Sequence, residues 1–554
     1  MNDEQSNNVK KDQESHQESN VAAMFVVQFD VHKGNVLEWQ YPPEFDLQGI
    51  EYQAICSGLH RIESDVVYFS RSSYYGISVF QNMSIDTSRG AYMKAVGLVV
   101  KPTKSTGACG NVWRHKNFLM QELSHFMTPS QSAEPTQYEG LIEYYNRHKY
   151  QERQVEPDPI YMSWLHDKSL LYAAEHSVNY NLAHNIVSVN HDLMEASDLP
   201  EFVKLFGPDI FVLWKAALLR KRIMFIDVPP METSCRYVYS MHLMGHIPDK
   251  FKSVKPIIPK FTVGVNDIPE LEKSSDCYIA CTPDTIFQIK SDLYDLMITF
   301  PTLPFSHPVT QTASAQQIAL SDLRSKTGLE IKSSIPSVPS NHNPADVRRY
   351  RILQRLVENQ SFDLSSRSSS SSSLCVADFY YWLYKEQDEL QNEQGELFCR
   401  SSGQGTARAS SPSSRRESQE LLADEEQDAL EINPNEILEV VAARVSSEML
   451  RTSTEYQQQQ SINNTLINFF QHLTFFLLLT LQDIISTNER DDITILWPKD
   501  MVELGLDPLK DTEFVIELAR LYFNKQIQVR EIPDWHACCS ACCLQGRDRQ
   551  YIRI

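Results

Sequence analysis

A chain of 554 residues exceeds what one hydrophobic core usually supports, so two to four globular units are expected. Its 51 basic and 72 acidic side chains leave a formal charge of −21, and such a surface repels phosphate backbones and anionic lipid head groups unless cations cluster locally. That balance argues against a nucleic-acid partner, and membrane contact would need a recruiter, a lipid chain or a basic patch.

Residues 1–20 are polar, with no apolar core of signal-peptide length, and read as a disordered tail. AAMFVVQFD, a turn at His32-Lys33-Gly34-Asn35, and VLEWQ predict two strands joined as a hairpin. Strand patterns recur at 65–70, 75–81 and 93–100, and a helix is expected over 112–127, which together make a small α+β unit. The segment 128–160 is loop-rich apart from a helix at TQYEGLIEYYNRH.

A second unit begins near residue 198. Helical LPEFVKLF, a restart at Gly207-Pro208-Asp209, helical IFVLWKAALL and strand RIMFIDV are followed by helical YVYSMHLMGH. Strands are expected near PIIPKFTVGV, at CYIACT and at LYDLMITF, so this is an α/β unit with a sheet buried on both faces. Beyond Phe300 the composition turns to Pro, Ser and Thr, and a helix is expected at 345–360. Two solvated inserts, 365–373 and roughly 400–432, interrupt a helical C-terminal third that includes 376–391, 436–450, 462–485 and 512–523. The run Leu473–Leu481 is too short to span a bilayer, so 466–485 reads as a buried helix. With no secretory route evident, the eleven cysteines are expected as reduced thiols in a cytoplasmic protein.

No phosphate-binding glycine loop, dinucleotide fingerprint, nucleophile elbow, zinc-protease helix or calcium loop is present. No catalytic residue, cofactor or metal is therefore assigned. HACCSACC (536–543) leaves three readings open: half of a zinc site, S-acylation at Cys538, Cys539, Cys542 and Cys543, or plain thiols. Arg415-Arg416-Glu417-Ser418 fits a basophilic kinase site at Ser418 as well as a chance match. Arg220, Lys221 and Arg222 lie between an apolar helix and an apolar strand. They read as a surface turn and helix cap in preference to a phosphate contact.

The order of these units, carried by FVVQFD…GNVLEW (25–39), SGLHRIESDVVYF (57–69), AYMKAVGLV (91–99), LWKAALLRKRIMFIDVPP (213–230), DIPELEKSSDCYIACTPDTIF (267–287), LYDLMI (293–298) and MVELGLDPLKDTEFVIELA (501–519), resembles the DENN-domain proteins. The resemblance implies a longin-like module over 21–165, a central DENN α/β module over 166–305 and a linker over 306–344. A helical segment with the Ser-rich insert (345–399), a disordered insert (400–432), a helical downstream part (433–535) and a Cys-rich tail (536–554) would follow. The Ser-rich and acidic inserts depart from the family pattern.

What the family resemblance implies is guanine nucleotide exchange on a Rab-type small GTPase held between the two modules, with no acid, base or nucleophile required. Alternatives are a trafficking adaptor without exchange activity and a GTPase-activating protein using a loop arginine, Arg71 or Arg89. Tyr74 and Tyr75 are interface candidates, with core packing or a turn as the competing account. Peripheral association with endomembranes, through the terminal cysteines or a recruiter, remains compatible with this reading.

Overall fold

The computed structural model describes residues 19–84, 91–103, 106–127, 135–150, 199–247, 251, 254–274, 276–301, 329–365, 462–487 and 493–530. Residues 1–18 of the tail expected over 1–20, helices 376–391 and 436–450, the two inserts apart from Ser365, Arg89, Ser418 and the terminal cysteines lie outside them. Asn20, expected in the tail, is instead buried and donates its Nδ2 to the Gly110 carbonyl at 2.7 Å, and Ser365 ends a helix. The fold combines an N-terminal sheet-rich module, a central α/β module and a helical C-terminal region.

Strands β1 (Val21–Asp30) and β2 (Gly34–Tyr41) form the hairpin expected from the alternating apolar pattern. Asp30 Oδ1 accepts the His32 and Lys33 N–H groups at 2.8 and 2.9 Å, and Gly34 takes φ 79°, so the chain reverses tightly. A short helix α1 (Ile50–Ala54) leads to β3 (Ser64–Arg71), β4 (Tyr74–Ser84) and β5 (Ala91–Val100). The expected helix at 112–127 is a 3-10 turn, Val112–His115, running into α2 (Lys116–Met127). Helix α2 packs on β4 and β5, and α3 (Glu139–His148) packs on β1.

The central module supplies α4 (Leu199–Phe206), α5 (Ile210–Leu218), β6 (Ile223–Ile226), α6 (Met231–Met244), β7 (Ile258–Thr262), α7 (Ile268–Lys273), β8 (Tyr278–Thr282) and β9 (Leu296–Thr299). Strand β6 runs parallel to β8 and β9, and β7 runs parallel to β8. All four residues of β6 and all five of β8 are buried, as continuous apolar strands between helices should be.

The two strand sets are not separate. They form one ten-stranded sheet, ordered β10-β9-β6-β8-β7-β3-β4-β5-β1-β2, where β10 is Glu330–Ser333. Only the pair Phe69 and Phe261 joins β3 to β7. Helix α6 straddles that join, packing on β3, β7 and β8.

The C-terminal region contributes α8 (Pro344–Ser365), α9 (Ile462–Thr487), β11 (Thr494–Leu496), α10 (Pro498–Glu503), α11 (Thr512–Phe523) and β12 (Ile527–Val529). Among the described residues α9 alone is long and apolar enough to cross a membrane by length and composition. Its Leu466, Phe470, Leu477, Leu478 and Leu481 are buried within the protein, and Trp214 donates its indole N–H to Thr474 at 3.0 Å.

Every residue of α5 is buried, including Lys215. Its ammonium donates to Asp346 at 2.9 Å and to Asp511 at 2.7 Å. Arg349 Nη1 donates to the other Asp346 oxygen at 2.7 Å, while Asn343 Nδ2 donates to Asp511 Oδ2 at 2.9 Å. Asn343 and Asp346 also bond each other's backbone N–H at 3.0 and 3.1 Å, a reciprocal cap at the start of α8. Burial raises the Asp511 carboxyl, but Lys215 and Arg349 reverse this and hold it below the ordinary carboxylate range.

The two cations and two anions balance, so deleting one strands its partners in a dry core. Lys215→Met should lower unfolding free energy by about 3–5 kcal/mol. Urea denaturation followed by tryptophan fluorescence will measure this; a loss below about 1 kcal/mol would mean that the carboxylates are hydrated.

Candidate functional site

The carboxyl ends of β7 and β8 open into a cleft of about 950 Å³, and the other wall comes from α1, the loop before β3 and the β3–β4 hairpin. Crevices outside the carboxyl ends of parallel strands are where α/β sheets place ligands. The central module contributes Gly264, Val265, Asp267, Glu270 and Asp284, and the N-terminal module contributes Phe45, Tyr52, Gln53, Arg71 and Tyr74.

The walls are held together by polar ties and tight packing. Gln53 Nε2 donates to Asp267 Oδ1 at 3.3 Å, and Asp267 Oδ2 accepts the Gly264 N–H at 2.8 Å. Burial raises the Asp267 carboxyl above its ordinary range, with neighbouring Glu270 adding to the effect against that N–H. Asp284 Oδ2 accepts the Val265 N–H at 3.2 Å. Gly58 lies against Pro229, which a Cβ would approach to 3.2 Å, so the loop before β3 seats directly on the loop after β6.

Phe261 sits at the centre of the seam. It takes φ 58° at a register shift in the β7–β8 ladder, and its ring meets Tyr68 and Tyr75 at 5.9 and 6.0 Å. Four residues before Phe69 on β3, Asp65 accepts the N–H groups of Met231 at 2.6 Å and Glu232 at 3.2 Å. One module thus caps the first turn of the other module's helix.

The sequence candidates divide between the cleft and the scaffold. Tyr74 and Arg71 line the cleft; Tyr74 packs edge-on against Phe45 at 5.3 Å, and Arg71 donates to the Gln48 carbonyl at 2.6 Å. Tyr75 points to the opposite face of β4 and is buried on Phe261. The three central cations lie elsewhere. Arg220, at φ 56°, donates to the Ala217 and Gly245 carbonyls at 2.9 Å each, Lys221 pairs with Glu517, and Arg222 meets Asp295 at 2.9 Å.

Val265, Asp267, Asp284 and Gln53 escaped the sequence reading because no motif marks them. Their placement depends on which strand ends meet across the seam. The cleft offers an aromatic wall, with Tyr52 53% exposed, facing an acidic wall with an apolar rim at Val265, 48% exposed. Such a surface suits binding of a protein segment with apolar and cationic groups. Among the described residues no cluster of three His, Cys, Asp or Glu side chains is arranged to hold a metal.

Comparison with known proteins gives a consistent picture. The sequence profile of the family described as DENN domain-containing protein 11 matches residues 24–309. DENN domain-containing protein 11 of Danio rerio is 34% identical over 286 residues, 50% of this chain and 53% of that protein. The Xenopus laevis protein of the same name is 32% identical over 290 residues, 51% and 60% of the two chains. Uncharacterized protein ANR2 of Saccharomyces cerevisiae is 27% identical over 316 residues, 50% and 57% of the two chains. The chain spans about half the length of the curated relatives it matches.

The seam also titrates. Burial pushes the Asp65 carboxyl up to about 7, with nearby Glu232 adding to it, against the three backbone N–H groups that favour the anion. A carboxyl raised on folding adds most stability below its unfolded value of 3.8 and loses that contribution as pH rises to about 7. Asp65→Asn keeps an acceptor but cannot ionise, so it should flatten this part of the stability profile between pH 4.5 and 7. Urea unfolding at both pH values reads the difference, and equal slopes for the two chains would refute the assignment.

Proposed function

Because the chain belongs to the DENN domain-containing protein 11 family, we propose that it is a guanine nucleotide exchange factor for a Rab-type small GTPase, which it binds in the cleft between its two modules. DENN domains generally act on Rab GTPases, and the observation that carries the reading here is a cleft walled by both modules. Exchange needs no proton transfer or covalent intermediate. The factor holds the switch segments in a geometry that the nucleotide-bound GTPase does not favour, so GDP and Mg²⁺ leave and GTP later displaces the factor.

Each wall has a distinct part in this reading. Tyr52, Tyr74 and Val265 provide apolar area for the switch segments, and aromatic anchors of this kind concentrate interface energy. Asp267, Glu270 and Asp284 place negative potential beside the bound partner, which attracts its cations and opposes its nucleotide phosphates. One sheet runs beneath both walls, and binding energy spent on distorting the GTPase is what would accelerate release.

Fluorescent-GDP release from a panel of purified Rabs tests the proposal, and acceleration of at least one member is expected. Tyr52→Ala and Val265→Asp should each reduce that acceleration about tenfold or more without lowering the melting temperature. Stable Rab binding without accelerated release would assign an adaptor role. Faster GTP hydrolysis that depends on Arg71 would assign GTPase activation.

A further inference from the structure

A GTPase is far larger than the cleft, so a molecule seated there must also rest on the rim. A cavity of about 950 Å³ admits a segment of chain, whereas a stable interface covers roughly 800 Å² on each partner. Ten large apolar side chains are exposed among the described residues. Two of them, Tyr52 and Val265, line the cleft. Two more, Ile286 and Ile289, stand in the 3-10 turn Thr285–Ile289, directly after Asp284 of the acidic wall.

Folding accounts for one apolar residue of this turn and not for the other two. Phe287 is fully buried, in one core cluster with Val263, Ile268 and Leu271, while Ile286 is 41% and Ile289 81% exposed. Residues three apart eclipse each other in a 3-10 turn, so the two isoleucines share an outward face. The turn is tied down on every side. The Asp284 carbonyl accepts the Phe287 N–H at 3.2 Å, the Gln288 carbonyl accepts the Tyr294 hydroxyl at 3.1 Å, and Lys290 Nζ donates to Glu272 on α7 at 2.9 Å. Asp284 also joins the turn to the cleft, since its carboxylate accepts the Val265 N–H. Scattered exposed apolar residues are ordinary, but a group that continues the lining of a cleft marks a contact surface.

Resting on the exchange reading, we infer that Ile286 and Ile289 form an accessory docking ledge for the same GTPase, which they touch outside the switch segments that enter the cleft. Continuity with the cleft through Asp284 and Val265 selects this occupant over a second copy of the chain. The matching surface on the GTPase is apolar and uncharged, because the flanking cation Lys290 is already paired with Glu272. Contacts on the ledge are the same before and after the nucleotide leaves. They hold the GTPase without distorting it, so they set KM and leave kcat to the residues inside the cleft.

Fluorescent-GDP release by the full chain, measured against rising concentrations of the Rab that it accelerates most, provides the test. Ile289→Asp should raise KM about tenfold or more with kcat and melting temperature unchanged, and Ile286→Asp should raise it less. Leu509→Asp replaces an exposed apolar residue outside the cleft lining and should change neither constant. An unchanged KM for Ile289→Asp, with the wild-type chain active, overturns the ledge and leaves the exchange reading standing. Loss of kcat at constant KM would place Ile289 among the groups that displace the nucleotide and overturns the ledge as well. A wild-type dimer in sedimentation velocity that Ile289→Asp separates would assign the face to a second copy instead. Failure of the wild-type chain to accelerate any Rab would sink the exchange reading, and the ledge with it.

Discussion

Lys215 imposes the constraint on which the rest of the arrangement depends. An ammonium in a fully buried helix has to meet carboxylates, and it meets Asp346 and Asp511 from two other segments. The apolar side chains around it would tolerate a rotated or shifted α5, since hydrophobic contact has no direction. The ion network does not tolerate it. It fixes the helix against α8 and the start of α11, and through the following turn it fixes β6 in the middle of the central strands. A buried pair of this kind is weak evidence for extra stability, since its attraction is offset by the cost of taking the charges out of water.

From β6 the constraint passes to the seam. The loop after β6 carries Pro229 against Gly58 and delivers Met231 and Glu232 to the Asp65 carboxylate. Helix α6 then covers β3, β7 and β8 together. The two modules share one sheet, one covering helix and one cap around the cleft, although only Phe69 and Phe261 pair directly.

Much of this was legible in the residues, and what was hidden has a physical cause. The β1–β2 hairpin and the α5–β6 passage were readable because their apolar periods are long and unbroken. Strands β10, β11 and β12 are three or four residues long, too short for alternation to register. Lys215 stood in plain sight inside an apolar helix, yet its partners lie 131 and 296 residues away. Tyr74 and Tyr75 looked equivalent as neighbours, whereas the strand pleat sends one to the cleft and the other to the core. The acidic wall was invisible because Asp267, Glu270 and Asp284 come from two separate segments that no motif joins.

The cap on α6 has a consequence for the order in which the protein can be assembled. Its carboxylate belongs to residue 65 and its N–H groups to residues 231 and 232, so synthesis delivers the acceptor long before the donors. During that interval β3 has no β7 beside it and Asp65 has no helix to cap. Newly made N-terminal module is therefore an open-edged sheet with a carboxylate awaiting its partners, the kind of species that other chains can pair with. Arrival of residues 231–262 supplies the missing donors and sets β7 and α6 against the β3 edge, so the seam that shapes the cleft is also the last part of the N-terminal module's surroundings to form.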